Sequence, residues 1–289
     1  MRILHSIREL REGLSALRHT LRGIGFVPTM GALHAGHGRL IEVSAGETET
    51  TVVSIFVNPS QFNDPSDFDK YPRTLATDGA LCESLGAHFV FAPSVEEMYP
   101  TPQQGALLQT SVEVAGVTEH LEGPFRPGHF RGVATVVMKL FQIVQPDRAY
   151  FGEKDAQQLA VIRRMVADLN MPIEIVGVPT VRDPDGLAMS SRNQRLTPAE
   201  RALAPRLYQA LQLAARLIEQ GSRDSAAIKQ EALAALIHPD IRVEYLEIVD
   251  PDSMQPVTLI SGPVRIAIAA WLGSVRLIDN VLTAPQRTS

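Results

Sequence analysis

Five short apolar, β-rich runs recur through the first 180 positions, and stretches of helical periodicity lie between them. The runs are Ile24–Thr29, 51–57, 88–92, 148–151 and 173–178; the helical stretches are 36–45, 75–85, 130–144 and 156–169. Strands that alternate with helices are joined by crossovers, and crossovers make the strands parallel. Helices then cover both faces of the sheet, which is why its strands are apolar throughout. The expected fold class is therefore α/β, built on a parallel sheet. Ligands of such sheets bind in the crevice beyond the carboxyl ends of the strands, so chemistry belongs in the loops that follow them. Apolar residues make up 45% of the chain and aromatics only 6%, so aliphatic side chains must fill the core.

The pattern changes near residue 180. Thr197-Pro198-Ala199-Glu200 reads as a capping box with proline at the first helical position. A long Ala/Leu-rich helix is expected to run from there to about Gln220, and a second over 222–237. The alternating runs 242–249, 264–270 and 275–282 then read as an antiparallel sheet. Two domains follow: residues 1–180, and a smaller α+β domain over 181–289. At the other end, Ile3, Leu4, Ile7, Leu10, Leu14, Leu17 and Leu21 fall at helical spacing and read as one docking helix.

Lys and Arg number 27 against 32 Asp and Glu, a formal net charge of −5. That balance argues against a general nucleic-acid partner, which needs a basic face, but leaves room for a local basic pocket. No apolar run approaches the ~18 residues that span a bilayer, so no membrane partner is expected. The single cysteine, Cys82, forms no intrachain disulfide, fits a reducing cytoplasm, and reads as a small helix residue.

Four stretches could carry chemistry. Pro28-Thr29-Met30-Gly31-Ala32-Leu33-His34-Ala35-Gly36-His37 ends a strand and opens a helix. Free amides at such a helix start favour a phosphate, and two imidazoles three residues apart can donate to it. A zinc pair or two capping histidines are the alternatives. Val57-Asn58-Pro59-Ser60-Gln61-Phe62-Asn63 offers side-chain amides at a strand end, or is a plain Asn-Pro turn. Gly152-Glu153-Lys154-Asp155 places a lysine between strand and helix, with Gln158 on the first helical turn. Met189-Ser190-Ser191-Arg192 carries two hydroxyls and a guanidinium suited to a triphosphate, or is a surface turn. Arg126-Pro127-Gly128-His129-Phe130-Arg131-Gly132 adds a basic loop, either a lid or a helix entry.

Together these stretches resemble the pantothenate synthetase (pantoate–β-alanine ligase) family of the nucleotidyltransferase superfamily, whose signature is His-x-Gly-His. Six blocks match in order: 28–37, 56–62, 71–74, 126–132, 144–155 and 178–192. The resemblance spans essentially the whole chain and is dense over 24–195. It implies a Rossmann-like nucleotide-binding domain, a C-terminal lid domain, and ATP-dependent joining of pantoate to β-alanine through a pantoyl adenylate. It implies that Met30, Gly31, Ala32, Leu33, His34, Ala35, Gly36 and His37 wrap ATP. Gly152, Glu153, Lys154 and Asp155 would hold ribose and phosphates, and Val181 the adenine. Met189, Ser190, Ser191 and Arg192 would close on the triphosphate. The catalytic set would be His37 as proton donor, His34, Lys154 and Arg192. Gln61, Gln158, Asn58 and Arg126 would bind pantoate and β-alanine. Magnesium is expected on the ATP phosphates with no protein metal ligand named, and a cytoplasmic homodimer is expected.

Three positions depart from the family's pattern: Ala35, Gly38 and Thr77. The departures remove no residue with a named chemical role, but Thr77 precedes Asp78 where relatives often carry another acid, which is why no protein ligand to magnesium is named. Two other readings remain: an adenylyltransferase with another acceptor, and a non-catalytic nucleotide-binding module.

Overall fold

The computed structural model describes residues 1–15, 17, 23–62, 68–99 and 109–286; Leu21 and Asn63, named above, lie outside them. The chain divides into two compact units. The first comprises Met1–Val114, Arg126–Glu153 and Val161–Pro179; the second comprises Ala115–Phe125, Lys154–Ala160 and Thr180–Ser289. Segments 115–125 and 154–160 thus group with the residues after 180.

Strands β1 (Arg2–Leu4), β2 (Ile24–Thr29), β3 (Thr50–Ile55), β4 (Phe89–Phe91), β5 (Arg148–Gly152) and β6 (Glu174–Val178) form one sheet, in the order β1-β4-β3-β2-β5-β6. Every neighbouring pair is parallel. Helices α1 (Ile7–Ser15), α2 (Ala35–Glu47), α3 (Leu75–Ser84), α4 (His129–Val144) and α5 (Ala156–Asp168) make the crossovers. The β-branched run of β3 is buried almost throughout, as a sheet covered on both faces requires. One core cluster gathers Val27, Ile41, Val53, Cys82, Val90 and Tyr150. On α4, twelve of sixteen residues are buried, so it is a core helix rather than a surface one.

Strand β2 is the switch point of the sheet. It pairs with β3 on one side and β5 on the other, and the strand order runs outward from it in both directions. The loops leaving β2 and β5 therefore flank the crevice where ligands of open α/β sheets bind.

The expected docking helix over 3–21 needs correction. Arg2–Leu4 is a strand paired with β4, with Ile3 against Val90 and Leu4 against Phe91. The helix begins only at Ile7, because Ser6 and Glu9 cap it reciprocally. Ser6 N–H donates to Glu9 Oε2 at 3.1 Å, and Glu9 N–H donates to Ser6 Oγ at 3.2 Å.

In the second unit, β7 (Ile241–Val249), β8 (Val264–Leu272) and β9 (Val275–Thr283) form an antiparallel meander. Helices α6 (Pro205–Glu219) and α7 (Ser225–Ala234) bury Leu207, Leu211, Ala214, Ile218 and Ile228 in a cluster with Ile248, Ile266 and Ile268. The Thr197–Glu200 capping box is present. The single long helix expected after it is instead two, Pro198–Leu203 and α6. Pro205 has no N–H to continue the first helix, and its fixed φ suits the first position of the next.

Candidate active site

The loop leaving β2 is held from within. Gly31 sits at φ +81°, and Ala32 at +50°, a left-handed conformation that L side chains rarely adopt. A Cβ on Gly31 would lie 3.0 Å from both Asp78 Oδ2 and Ile55 Cγ2. Asp78, on the first turn of α3 and 2% exposed, accepts from Ala32 N–H at 3.0 Å and Leu33 N–H at 2.9 Å. Thr74 Oγ1 donates to the same carboxylate at 3.0 Å. Hydrogen bonds to a charged group contribute about 1.5–3 kcal/mol each, enough to offset the ~1–3 kcal/mol of a left-handed Ala32.

The expectation of free amides at this helix start needs correcting. Those of Ala32 and Leu33 serve Asp78, and Gly31 N–H donates to Thr29 Oγ1 at 3.2 Å. Gly36 N–H donates to His34 Nδ1 at 3.1 Å, and His34 N–H donates to His37 Nδ1 at 3.3 Å. His34 is thus the N-cap of α2, and His37 closes the capping box three residues on. The rings lie 4.1 Å apart, centroid to centroid. Because both Nδ1 atoms accept from backbone amides, each neutral ring carries its proton on Nε2. Capping and donation are therefore compatible in these two residues.

After β3, Asn58 caps the turn Pro59–Gln61 by accepting from Ser60 N–H at 3.3 Å. Its Nδ2 donates to Gln61 Oε1 at 3.1 Å and to Gly132 O at 3.2 Å. Gln61 Nε2 lies 2.9 Å from Met30 Sδ, which joins this turn to the histidine loop. His129 Nδ1 donates to Gln61 O at 2.9 Å, and Tyr99 Oη donates to Asn58 Oδ1 at 2.7 Å. A Cβ at Gly132 would stand 2.3 Å from Ser60 O, so α4 packs backbone to backbone on the turn. Arg126 lies two residues before the left-handed Gly128 that opens α4. Asp78, Tyr99 and His129 were not among the sequence-derived site residues. They act on partners 41 to 68 positions away, where local patterns carry no signal.

The second unit brings together Lys154, Ser190, Arg192, Asn193, Arg276 and Asp279 around one pocket. Met189 N–H donates to Val181 O at 3.0 Å, closing the turn that presents Ser190. Ser190 Oγ accepts from Arg192 N–H at 3.3 Å and caps the short turn Ser191–Arg195. Asp279 is taken by Arg182 through bonds of 2.6 and 2.9 Å. Arg276 is taken by Glu122 and Glu244, with Tyr245 Oη also donating to Glu122 at 2.8 Å. Burial pushes the Tyr245 phenol well above its usual range, so it stays a donor. Lys154 and Arg192, which both line this pocket, have no ion pair among the described residues. Gln157 is spent on structure, donating to Val117 O and His120 O at 2.8 and 2.7 Å and accepting from Glu122 N–H at 2.9 Å. Its neighbour Gln158 is half-buried. Among the described residues, no group of three or more His, Cys, Asp or Glu could hold a metal ion, and no helix is long and apolar enough to cross a membrane.

A parallel sheet covered on both faces, with a histidine-capped loop at its switch point, defines a Rossmann-like α/β class. The Pantoate-beta-alanine ligase family model matches residues 2–282. The chain belongs to the pantoate–β-alanine ligase family. It is 49% identical over 283 residues to the pantothenate synthetase of Thermotoga petrophila, covering 98% of this chain and 99% of that one. It is 52% identical over 281 residues to that of Pseudomonas putida, covering 97% of each. The crystal structure of pantothenate synthetase from Thermus thermophilus superimposes with a TM-score of 0.89 at 48% identity, over 97% of this chain and 99% of that one. That of the Francisella tularensis pantoate-beta-alanine ligase, complexed with beta-gamma ATP and beta-alanine, superimposes with a TM-score of 0.78 at 37% identity, over 98% and 97%.

Proposed function

We propose that this chain condenses pantoate with β-alanine at the expense of ATP, giving pantothenate, AMP and pyrophosphate. The observation that carries this reading is the family match over residues 2–282. A carboxylate is a poor acyl donor, and transfer to AMP makes it a good one. The pantoate carboxylate attacks the α-phosphate and releases pyrophosphate; the β-alanine amine then attacks the pantoyl adenylate and releases AMP. The protein's part is to position reactants and stabilise developing charge.

His34 and His37 donate hydrogen bonds from Nε2 to phosphate oxygens, and His37, the proton donor that the family resemblance implies, stabilises in this way the charge that develops on the departing pyrophosphate. Met30, Gly31, Ala32, Leu33, Ala35 and Gly36 shape the nucleotide loop. Gly152, Glu153, Lys154 and Asp155 hold ribose and phosphates, Val181 the adenine, and Met189, Ser190, Ser191 and Arg192 the triphosphate. Gln61 binds pantoate and then β-alanine, with Arg126 and Gln158 completing the acid and amine sites; Asn58, 1% exposed and hydrogen-bonded to the protein at both ends of its amide, serves them by holding Gln61 rather than by touching substrate. Asp78, the carboxylate nearest the histidine loop, is already held by two amides and a hydroxyl. That fits magnesium arriving on the ATP phosphates, where it neutralises charge. The chain acts in the cytoplasm as a homodimer, which sedimentation tests.

Exchange of labelled pyrophosphate into ATP, with pantoate present and β-alanine absent, tests the reaction. Pantoate-dependent exchange is the expected result. No exchange, and no AMP after β-alanine is added, rejects pantoate as the substrate.

A further inference from the structure

A chain of hydrogen bonds fixes which end of the Gln61 carboxamide faces outward. It starts at two backbone groups whose roles cannot change. Ser60 N–H can only donate, and it lies 3.3 Å from Asn58 Oδ1; the Gly132 carbonyl can only accept, and it lies 3.2 Å from Asn58 Nδ2. These two settle the sense of the Asn58 amide. Asn58 Nδ2, so oriented, donates to Gln61 Oε1 at 3.1 Å. Gln61 Nε2 is then the far end, and its neighbour at 2.9 Å is Met30 Sδ, a weak acceptor.

Tyr99 Oη stands behind this chain, donating to Asn58 Oδ1 at 2.7 Å, the shortest bond of the series. Tyr99 and Asn58 are 2% and 1% exposed, so water does not compete. Burial also raises the phenol's pKa, which keeps its proton in place. Donation into Oδ1 polarises the amide and strengthens each donor further along. The Gln61 backbone is fixed separately, by His129 Nδ1 on its carbonyl and by the tight seat of Gly132.

We propose that Tyr99 is a positioning residue which, acting through Asn58, holds the Gln61 carboxamide N–H outward, so that the site selects a ligand oxygen that accepts. The proposal rests on the reading of Gln61 as a pantoate contact. A carboxylate or hydroxyl oxygen that displaces Met30 Sδ gives this N–H a stronger acceptor, whereas a donor group presented there finds no partner on Gln61.

The test is a mutant cycle of Tyr99→Phe, Gln61→Ala and the double variant, reading KM for pantoate, KM for ATP and Tm. Tyr99→Phe is expected to raise the pantoate KM about fivefold, the worth of one net hydrogen bond, with ATP KM and Tm little changed. The double variant is expected to be no worse than Gln61→Ala alone, because the hydroxyl has nothing left to orient. A Tyr99→Phe enzyme with unaltered pantoate KM, or single effects that multiply in the double variant, overturns the proposal. If Gln61→Ala leaves the pantoate KM unchanged, the substrate reading of Gln61 falls, and this inference with it. Gln61→Glu gives a check that does not depend on Tyr99→Phe folding. It keeps an acceptor for Asn58 and turns an anionic oxygen outward, so it should raise the pantoate KM more than Gln61→Ala does. A near-normal pantoate KM in Gln61→Glu overturns the assigned sense of the amide.

Discussion

The loop over 30–37 and the loop over 189–192 are both assigned to ATP, yet they are built in opposite ways. In the first, Gly31, Ala32, Leu33, His34 and Gly36 all commit their amides to protein partners. Its shape is set before any ligand arrives, at the cost of a left-handed alanine and a buried carboxylate. In the second, one hydroxyl caps a short turn, Arg192 is exposed, and neither it nor Lys154 has an ion pair among the described residues. The first is suited to geometry and the second to charge. Catalysis that depends on placing a proton needs the former; retaining a polyanion needs only the latter.

Four expected outcomes sharpen or break that contrast. The largest is for His37→Ala, which removes a donor from the preset loop. Pyrophosphate exchange should fall about a hundredfold or more, the scale of one lost charge-stabilising donor. Its stability should drop by only about 1 kcal/mol, for the lost cap. Near-normal turnover would remove His37 from its role. Next comes Asp78→Asn, which cannot accept from both amides with an NH2 on one side. It should lose about 2–3 kcal/mol in urea unfolding and slow turnover together, because loop shape and activity are coupled there. Unchanged stability would mean that the clamp is not what holds the loop. Arg192→Ala should raise ATP KM by about tenfold, the worth of one charge-assisted contact, with Tm unchanged. A fall in Tm would place Arg192 with the preset group instead. The smallest effect concerns Cys82, four residues beyond Asp78 on α3. Burial pushes its thiol up to about 12, so at pH 8 only about one molecule in ten thousand is thiolate. Alkylation should be undetectable until the protein unfolds; rapid labelling would show that α3 opens on its own.

What sequence could tell follows the same divide. The succession β2, histidine loop, α2 is local: apolar run, glycines and capping histidines lie within two dozen residues, and the pattern states them. The capping box at Thr197 is equally local. Strand β1 reads as helix because three residues have no period, and Ile3 and Leu4 continue the helical spacing of Ile7 and Leu10. Only pairing with Val90 and Phe91 makes them a strand. Pro205 was visible, but the Ala/Leu richness around it outweighed its break. Asp78 lies 45 residues from Leu33, and Tyr99 41 from Asn58, so neither clamp is written near the residue that it holds. In sequence His129 stands only as part of a basic loop, whereas in the structure it holds a carbonyl 68 positions earlier.

The place of β2 at the centre of the sheet also bears on how the chain is made. Its partner on one side, β3, follows almost at once, but its partner on the other is β5, with Gly25 against Arg148 and Ile24 bonded to Asp147 across 123 positions. At translation speeds of about 5–20 residues per second, the ribosome takes on the order of 10 s to deliver that second partner. For that interval one side of the apolar run Ile24–Thr29 is a bare row of amides and carbonyls, the kind of edge to which other chains add. The strand that gives the finished molecule its crevice is thus the one whose nascent form most needs shielding by a chaperone.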